Sequence, residues 1–489
     1  MSPAPPPAAP PHADAAEGRL ARLALAFNDW SERWIPDAYV FALVATALVV
    51  GAAWLALLPA HGALGAAREA AATWGGGFWE LLPFTLQMAL VIITGYVLAT
   101  TPPVYRAIAA LAAWPRTPRQ AVAWVTALAL VSSWLNWGFS LIFSAMLARE
   151  VARRRPEVDY RALSAAAFLG LGSIWAQGLS GSAALQMATP GALQPAVRAI
   201  VARDGLVPDG LIPLEHTIFL WQSLVSVVVE LVVVTALMAW ATPTGARAKG
   251  AAALGVVLGP SPLEAPPPPR RGVPGEALEH SVAPTLVFVL LAGASLVDQL
   301  ARAPSPLAAL NLNTLNLGFL TLGAALHRTP ARLMRAFQEA TPGVWGVLLQ
   351  FPLYAGLAAL IVKTGLNTHL AEAFVAASTR ESYPALVAIY SAVLGVFVPS
   401  GGSKWVIEAP YVMEAAHTLR VHLGWMVAVY DLGEALANLL QPFWMLPVLG
   451  LLGLRARDVM GYTVLVFVVL LPLVLVMVTL LGATLPYPL

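Results

Sequence analysis

Pro399-Ser400-Gly401-Gly402-Ser403-Lys404 interrupts residues 383–416, an apolar stretch that otherwise reads as buried helix. Ser132-Ser133-Trp134-Leu135-Asn136-Trp137-Gly138 divides residues 121–151 in the same way. Each arm beside these breaks is about a dozen residues, roughly 18 Å of helix, which falls short of the roughly 30 Å of hydrocarbon in a bilayer. The expectation is two re-entrant helical hairpins. Residues 161–188 carry Gly170, Gly172, Gly178 and Gly181, and residues 422–450 carry Gly433, Pro442 and Pro447. Both read as broken spans. Backbone that leaves the helix at membrane depth is tolerated only where protein or a water-filled cavity satisfies its polar groups. Four such breaks in one chain point to a polar site inside a membrane.

Composition agrees with a lipid environment. Hydrophobic residues make up 58% of the 489 and charged residues 11%, against about a quarter charged in soluble domains. Clear spans are expected at 39–58, 78–101, 217–240, 282–300, 308–327, 343–363 and 462–481, and residues 20–34 read as an interfacial amphipathic helix. Residues 1–13 are rich in Pro and Ala and lack the order of a cleavable signal peptide, so they read as a disordered cytoplasmic tail. A Pro-rich run at 259–275 reads as a linker. The chain thus divides into a tail with an interfacial helix (1–37), a first membrane repeat (38–240), a Pro-rich cytoplasmic linker (241–281) and a second membrane repeat (282–489). A net charge of +2 gives no argument for nucleic acid, and the absence of cysteine excludes disulfides and thiolate chemistry. The eight histidines show no metal-ligand spacing. Nothing in the sequence supplies the metal or nucleophile constellation of an intramembrane enzyme.

The two hairpins fall at a constant offset. Adding 265 takes Asn136 to Gly401, residues 78–101 onto 343–366, and Gly170 to Ala435. Span, hairpin and broken span therefore occur twice in one order. Five crossings separate the starts of the two copies, and an odd number inverts the second. Inverted repeats whose discontinuous helices meet at the midplane are a secondary-transporter arrangement. With the N-terminus in the cytoplasm, 20 basic residues fall inside and 6 outside, with Lys363 and Lys404 in membrane segments. That split follows the positive-inside rule, and reading either hairpin as a full crossing spoils it.

The candidate site residues follow from the breaks. At the second tip, Ser400, Gly401, Gly402 and Ser403 let backbone approach an anion, and Lys404 supplies a positive charge at depth. A bare turn with Lys404 reaching to the interface is the plainer reading. Asp431, Glu434, Asn438 and Gln441 lie on one helical stripe that could hold a coupling proton or sodium ion. Alternatively, Glu434 pairs with Lys404. At the first tip, Ser133 and Asn136 are uncharged candidate ligands. Glu230 interrupts an apolar run, and its role stays open.

Four stretches carry a family resemblance: Ser133-Trp-Leu-Asn-Trp-Gly-Phe139, Leu312-Asn-Thr-Leu-Asn-Leu317, Val398-Pro-Ser-Gly-Gly-Ser-Lys-Trp-Val-Ile-Glu-Ala-Pro410 and Tyr430-Asp-Leu-Gly-Glu-Ala-Leu-Ala-Asn-Leu-Leu-Gln-Pro-Phe-Trp444. Here the chain resembles the bacterial short-chain fatty acid transporter family, of the acetoacetate and butyrate type, within the wider ion transporter superfamily. The resemblance implies an all-α polytopic membrane protein of elevator type, often a homodimer, that takes up short-chain monocarboxylates with cation coupling. The expected location is a bacterial inner membrane, multi-pass, with the N-terminus cytoplasmic. No cofactor is called for beyond a coupling cation, H+ or Na+. Substrate binding is expected at Ser133, Asn136, Ser400, Gly401, Gly402, Ser403 and Lys404, and the coupling ion at Asp431, Glu434 and Asn438. A carrier of C4-dicarboxylates is the nearest alternative, and a passive channel a more distant one.

Overall fold

The computed structural model describes residues 33, 38–79, 82–188, 195–205, 207–258, 270, 272–303, 309, 312–366, 372, 376–397, 401–441 and 443–489. Most of the expected tail and interfacial helix at 1–37, most of the Pro-rich run, and Ser400 lie outside these residues. Regular structure among them is helical throughout. The first part comprises α1 (Ala38–Gly77), α2 (Leu82–Ala99), α3 (Pro102–Ala112), α4 (Pro118–Leu135), α5 (Trp137–Arg154), α6 (Tyr160–Gly172), α7 (Ser182–Ala188), α8 (Pro195–Val201) and α9 (Trp221–Ala241). The linker carries α10 (Pro274–Glu279), and after it come α11 (Ala283–Arg302), α12 (Leu312–His327), α13 (Pro330–Ala340), α14 (Trp345–Lys363), α15 (Tyr383–Phe397), α16 (Gly401–Thr418), α17 (Leu423–Ala437), α18 (Leu446–Leu452) and α19 (Ala456–Gly482).

The repeated order is visible helix by helix. A hairpin (α4–α5, then α15–α16) is followed by a broken span (α6–α7, then α17–α18) and a closing helix (α9, then α19). The opening of each copy also matches. Gly62 kinks α1 with φ 66°, and Arg328 turns the chain between α12 and α13 with φ 70°. Packing is reciprocal between the copies: α14 of the second lies along α1 of the first, and α2 of the first lies along α12 of the second. Such mutual exchange is what a two-fold relation between copies requires.

Local sequence explains the helix starts. Thr117 caps α4 by accepting from Gln120 N at 3.3 Å, with Pro118 in the first helical position. Asp159 caps α6 by accepting from Arg161 N and Ala162 N, and it also accepts from Lys249 N at 3.0 Å. That last bond ties the start of the linker to the end of the first hairpin.

Several segments differ from the sequence expectation. The span expected at 39–58 is followed by a second helical stretch that reaches Gly77, the two joined through the non-helical backbone of Gly62 (φ 66°, ψ 174°). The segment at 78–101 holds α2 and then bends by 73° into α3 at the Pro102–Pro103 pair. Of the segment at 308–327, the described helix is Leu312–His327. Among the described residues, five helices are long and apolar enough to cross a bilayer, or seven if each bent pair counts as one. The hairpin arms are longer than a dozen residues: α4, α5 and α16 have 18 each and α15 has 15. Their outer turns carry Arg119, Arg149, Arg153, Arg154, Glu414 and His417. The apolar part of each arm is short, and the helix simply continues into polar surroundings.

Both hairpins fold back on themselves. Ser140 Oγ on α5 donates to Ala129 O on α4 at 2.8 Å. Tyr383 Oη on α15 donates to Val412 O on α16 at 2.8 Å, and the Tyr390 and Tyr411 hydroxyls meet at 2.7 Å. Each broken span then lies against the first arm of its hairpin through a glycine. A side chain at Gly170 would overlap the Ala129 carbonyl, and one at Gly433 would overlap the Ala388 carbonyl. The outer faces of α9 and α11 expose Val228, Val232, Leu290 and Leu291, an apolar surface suited to lipid. The core sits around α6 and α17, whose described side chains are almost all buried.

Candidate functional site

Lys404 lies in the first turn of α16, and its ammonium group is buried. Lys404 Nζ meets Glu434 Oε2 at 2.5 Å, with side-chain exposures of 2% and 1%. It also donates to Ser391 O at 2.9 Å and lies 5.3 Å from the centre of the Tyr430 ring. Tyr430 Oη in turn donates to Gly401 O at 3.2 Å, and Trp405 packs on the Tyr430 ring. Hairpin 2 is thus clasped to α17 by one lysine, one carboxylate and one tyrosine. The alternative of a lysine reaching to the interface does not hold in this structure. A buried ammonium needs a charged partner, and Glu434 is that partner.

Space is tight where the tip meets the pair. A Cβ at Gly401 would stand 3.1 Å from Glu434 Cγ and 3.1 Å from the Trp175 ring. Trp175 belongs to the break of the first repeat, so the two copies meet here. From the same broken span, Gln186 on α7 donates to Gly402 O at 2.8 Å. The reciprocal contact is Trp137 at the first tip, whose ring is 5.1 Å from that of Trp444 in the second break. Each hairpin tip therefore rests on the break of the other copy.

Asp431, Glu434 and Asn438 are buried, but they do not act as one stripe. Asp431 Oδ2 accepts from Ala184 N on α7 at 3.4 Å. Glu434 faces Lys404. Asn438 donates to Leu171 O at the end of α6 at 3.2 Å, and its Oδ1 accepts from Gln441 at 2.8 Å. The first half of the broken span, α17, ends at Ala437, and Asn438 is its C-cap. One carboxylate oxygen each of Asp431 and Glu434 is buried without a hydrogen-bond partner.

At the first tip, Asn136 is the single extended residue between α4 and α5, with φ −160° and ψ 122°. Its side chain caps α5 by accepting from Phe139 N at 2.8 Å. The first break holds the tip: Leu179 N donates to Trp134 O at 2.8 Å, and Trp137 N donates to Ser180 Oγ at 3.0 Å. Ser133 is fully buried and its hydroxyl lacks a partner. Asn136→Ala removes the cap and is expected to lower stability by about 1 kcal/mol, read as a fall in the thermal midpoint of the purified protein. The bundle itself should stay folded, because the Trp134 and Trp137 backbone contacts persist.

The Leu312–Leu317 stretch has a different place. Gln87 donates to Asn313 Oδ1 at 2.7 Å and Asn316 donates to Gln87 O at 2.9 Å, so these residues join α12 to α2. The α2 side also borders a cavity of about 250 Å³ whose lining includes Ile92, Tyr96, Ile142, Glu339, Trp345 and Trp444. Trp444 links this cavity to the first tip.

Comparison with known proteins decides the family. The sequence profile of the family described as short chain fatty acid transporter matches residues 19–481. The chain belongs to the short-chain fatty acid transporter family. An Escherichia coli K12 protein, provisionally named a short-chain fatty acid transporter, is 36% identical over 453 residues, covering 91% of this chain and 96% of that protein. A Haemophilus influenzae protein with the same provisional name is 33% identical over 453 residues, covering 92% and 97%. Among solved structures, Neisseria gonorrhoeae MtrF, described as representing a class of antimetabolite efflux pumps, aligns with a TM-score of 0.51 at 13% identity, covering 95% of this chain and 98% of that one. That likeness shows a shared fold. The chain is a multi-pass membrane transporter and not an enzyme.

The candidate site also brings in Glu408 and Ser391. Glu408 is one helical turn beyond Lys404 on α16, buried, with one oxygen lacking a partner. Ser391 stands to Gly433 as Ser133 stands to Gly170, each pressing its Cβ to 2.8 Å of where a glycine side chain would begin. Glu408 lies within the Val398–Pro410 stretch, and its charge in an apolar helix is a signal in the sequence. Ser391 had no such signal, since a lone serine in an apolar helix is common.

Proposed function

We propose that the protein is a cation-coupled symporter of short-chain fatty acids such as acetoacetate and butyrate, and that the substrate carboxylate competes with Glu434 for Lys404. The observation that carries this reading is the buried Lys404–Glu434 pair at the tip of hairpin 2. One ammonium group suits one carboxylate. With Glu434 ionised and bonded, Lys404 has no charge to spare for a substrate. A cation at Glu434, whether a proton on the carboxyl group or a sodium ion beside it, cancels that claim and leaves Lys404 to the incoming acid. Cation and acid then favour one another's binding, and the two affinities are linked by one coupling free energy. Glu408, Asp431 and Glu434 place three carboxyl groups around this single lysine, a charge balance that favours a site with room for a cation.

Gly401 and Gly402 are proposed to bring backbone amides to the carboxylate, with Ser400 and Ser403 beside them. Ser133 and Asn136 are assigned to the opposite tip, near the apolar end of the acid. The cavity beside Trp444 is small and largely apolar, as a short acyl chain requires. Movement of the hairpins and broken spans as one body against α1, α2, α12 and α14, in the elevator manner, would carry the site between sides, and a homodimer would anchor the still part. The bilayer is a bacterial inner membrane with the N-terminus cytoplasmic, as the arginine distribution favours.

Reconstituted protein tests this reading. Radiolabelled butyrate uptake is expected to require an imposed proton or sodium gradient, applied separately, and to be inhibited by acetoacetate more than by succinate. Stronger inhibition by succinate would favour a C4-dicarboxylate carrier. Uptake indifferent to both gradients would remove cation coupling.

A further inference from the structure

A second buried carboxylate stands apart from the Lys404 site. Glu230 lies midway along α9, only 1% exposed, on a helix whose outer face is apolar. It points inward to the first break. Glu230 Oε1 accepts from Gln177 Nε2 at 2.7 Å and from Ser226 Oγ at 3.2 Å. Both partners are neutral. Among the described residues no Arg, Lys or His pairs with Glu230, and the helices packed on α9, namely α4, α6 and α19, bring no charged group to it. An intramembrane carboxylate with neutral partners alone lacks a counter-charge.

The amide beside it is incomplete as well. Gln177 is only 3% exposed, and its Oε1 is buried without a hydrogen-bond partner while its Nε2 serves Glu230. A buried carbonyl oxygen left unpaired is costly, and one adjoining a carboxylate and a hydroxyl completes an oxygen-donor set. A half-turn of the amide would bring that oxygen to a cation held on Glu230.

We propose that Glu230, Gln177 and Ser226 form a second monovalent-cation site, in the first repeat, filled during the transport cycle by a proton or a sodium ion. It rests on the reading above that the chain is a cation-coupled carrier. Gln177 sits in the break that supports hairpin tip 1 and, through Trp175, touches hairpin tip 2. Cation occupancy at Glu230 would therefore be felt at both tips. A monocarboxylate moving with the Glu434 cation alone is electroneutral. The additional cation makes each cycle carry net positive charge.

The test measures cation-to-butyrate ratio and potential dependence in proteoliposomes for wild type and Glu230→Gln. Wild type is expected to carry one more cation per butyrate than the variant, and an inside-negative potential should speed wild-type uptake only. Equal ratios in the two proteins overturn the proposal. Gln177→Leu, which keeps Glu230, covers the case in which Glu230→Gln does not fold. It should keep the wild-type ratio but need about tenfold more cation for half-maximal uptake, the loss of one contact to a charged group. An unchanged requirement overturns the assignment. An arm without substrate separates this idea from the carboxylate reading. Sodium at fixed pH, or pH without sodium, should raise the thermal midpoint of purified wild type more than that of Glu230→Gln. The ion that produces the difference is the ligand. Identical responses to both contradict the site even if butyrate is not the substrate.

Discussion

Lys404→Met is expected to lower butyrate uptake by about a hundredfold or more and to destabilise the protein by about 3–5 kcal/mol, the cost of removing one member of a buried ion pair. Methionine keeps the length of the side chain, so the loss is one of charge and not of packing. Glu434 would remain buried beside Glu408 with its counter-charge gone. The thermal midpoint of purified protein measures the stability term, and uptake at saturating butyrate measures the other. The double variant Lys404→Met/Glu434→Gln should regain much of the stability and none of the uptake. That split separates a pair that only holds hairpin 2 in place from a lysine that also receives the substrate. Recovery of uptake in the double variant would assign the pair to structure alone.

Gly178→Ala carries the next largest expected effect, for a steric reason. A methyl group at this position would overlap the Trp134 carbonyl oxygen and lie 2.6 Å from Trp134 Cα. Both are backbone atoms, and Leu179 N donates to that same carbonyl. No side-chain rotation can relieve the clash. The first tip must move off the break, and the Trp137–Ser180 bond goes with it. A loss of about 1–3 kcal/mol is the usual cost of forced overpacking, read as a lower thermal midpoint, with uptake falling about tenfold or more as tip 1 shifts. Gly205→Ala gives a contrast: among the described residues beyond its chain neighbours, none lies within 4 Å of a Cβ there, and its positive φ, 69°, is the source of strain.

Much of this arrangement is legible in the sequence because breaks in apolar helices need polar residues or glycine. Ser132 to Gly138 and Pro399 to Lys404 mark the two tips, and the glycines at 170–181 mark a broken span that the structure divides at 173–181. Pairing of Lys404 with Glu434 is one of two readings the sequence leaves open, since a lysine at depth needs an acid. Other features depend on contacts between distant segments. Gln186 reaches Gly402 across 216 residues of chain, and nothing around Gln186 marks it as a tip contact. Division of Asp431, Glu434 and Asn438 among α7, α16 and α6 follows from where those helices pack, which a helical stripe cannot foretell. Apolar residues alone understate the length of the arms, because α5 continues through Arg149, Glu150, Arg153 and Arg154, where Arg153 pairs with Glu150.

Glu434→Gln bears most directly on the central claim, that a cation at Glu434 releases Lys404 to the substrate. Glutamine fills the same space and cannot hold a proton or bind sodium as a carboxylate does. Counterflow of butyrate and gradient-driven accumulation should be measured side by side in the same proteoliposomes. The account predicts that Glu434→Gln keeps counterflow and carries one cation fewer per butyrate, with a correspondingly weaker response to the coupling gradient, because Lys404 is permanently available. A variant that still accumulates butyrate with the wild-type gradient dependence would contradict it.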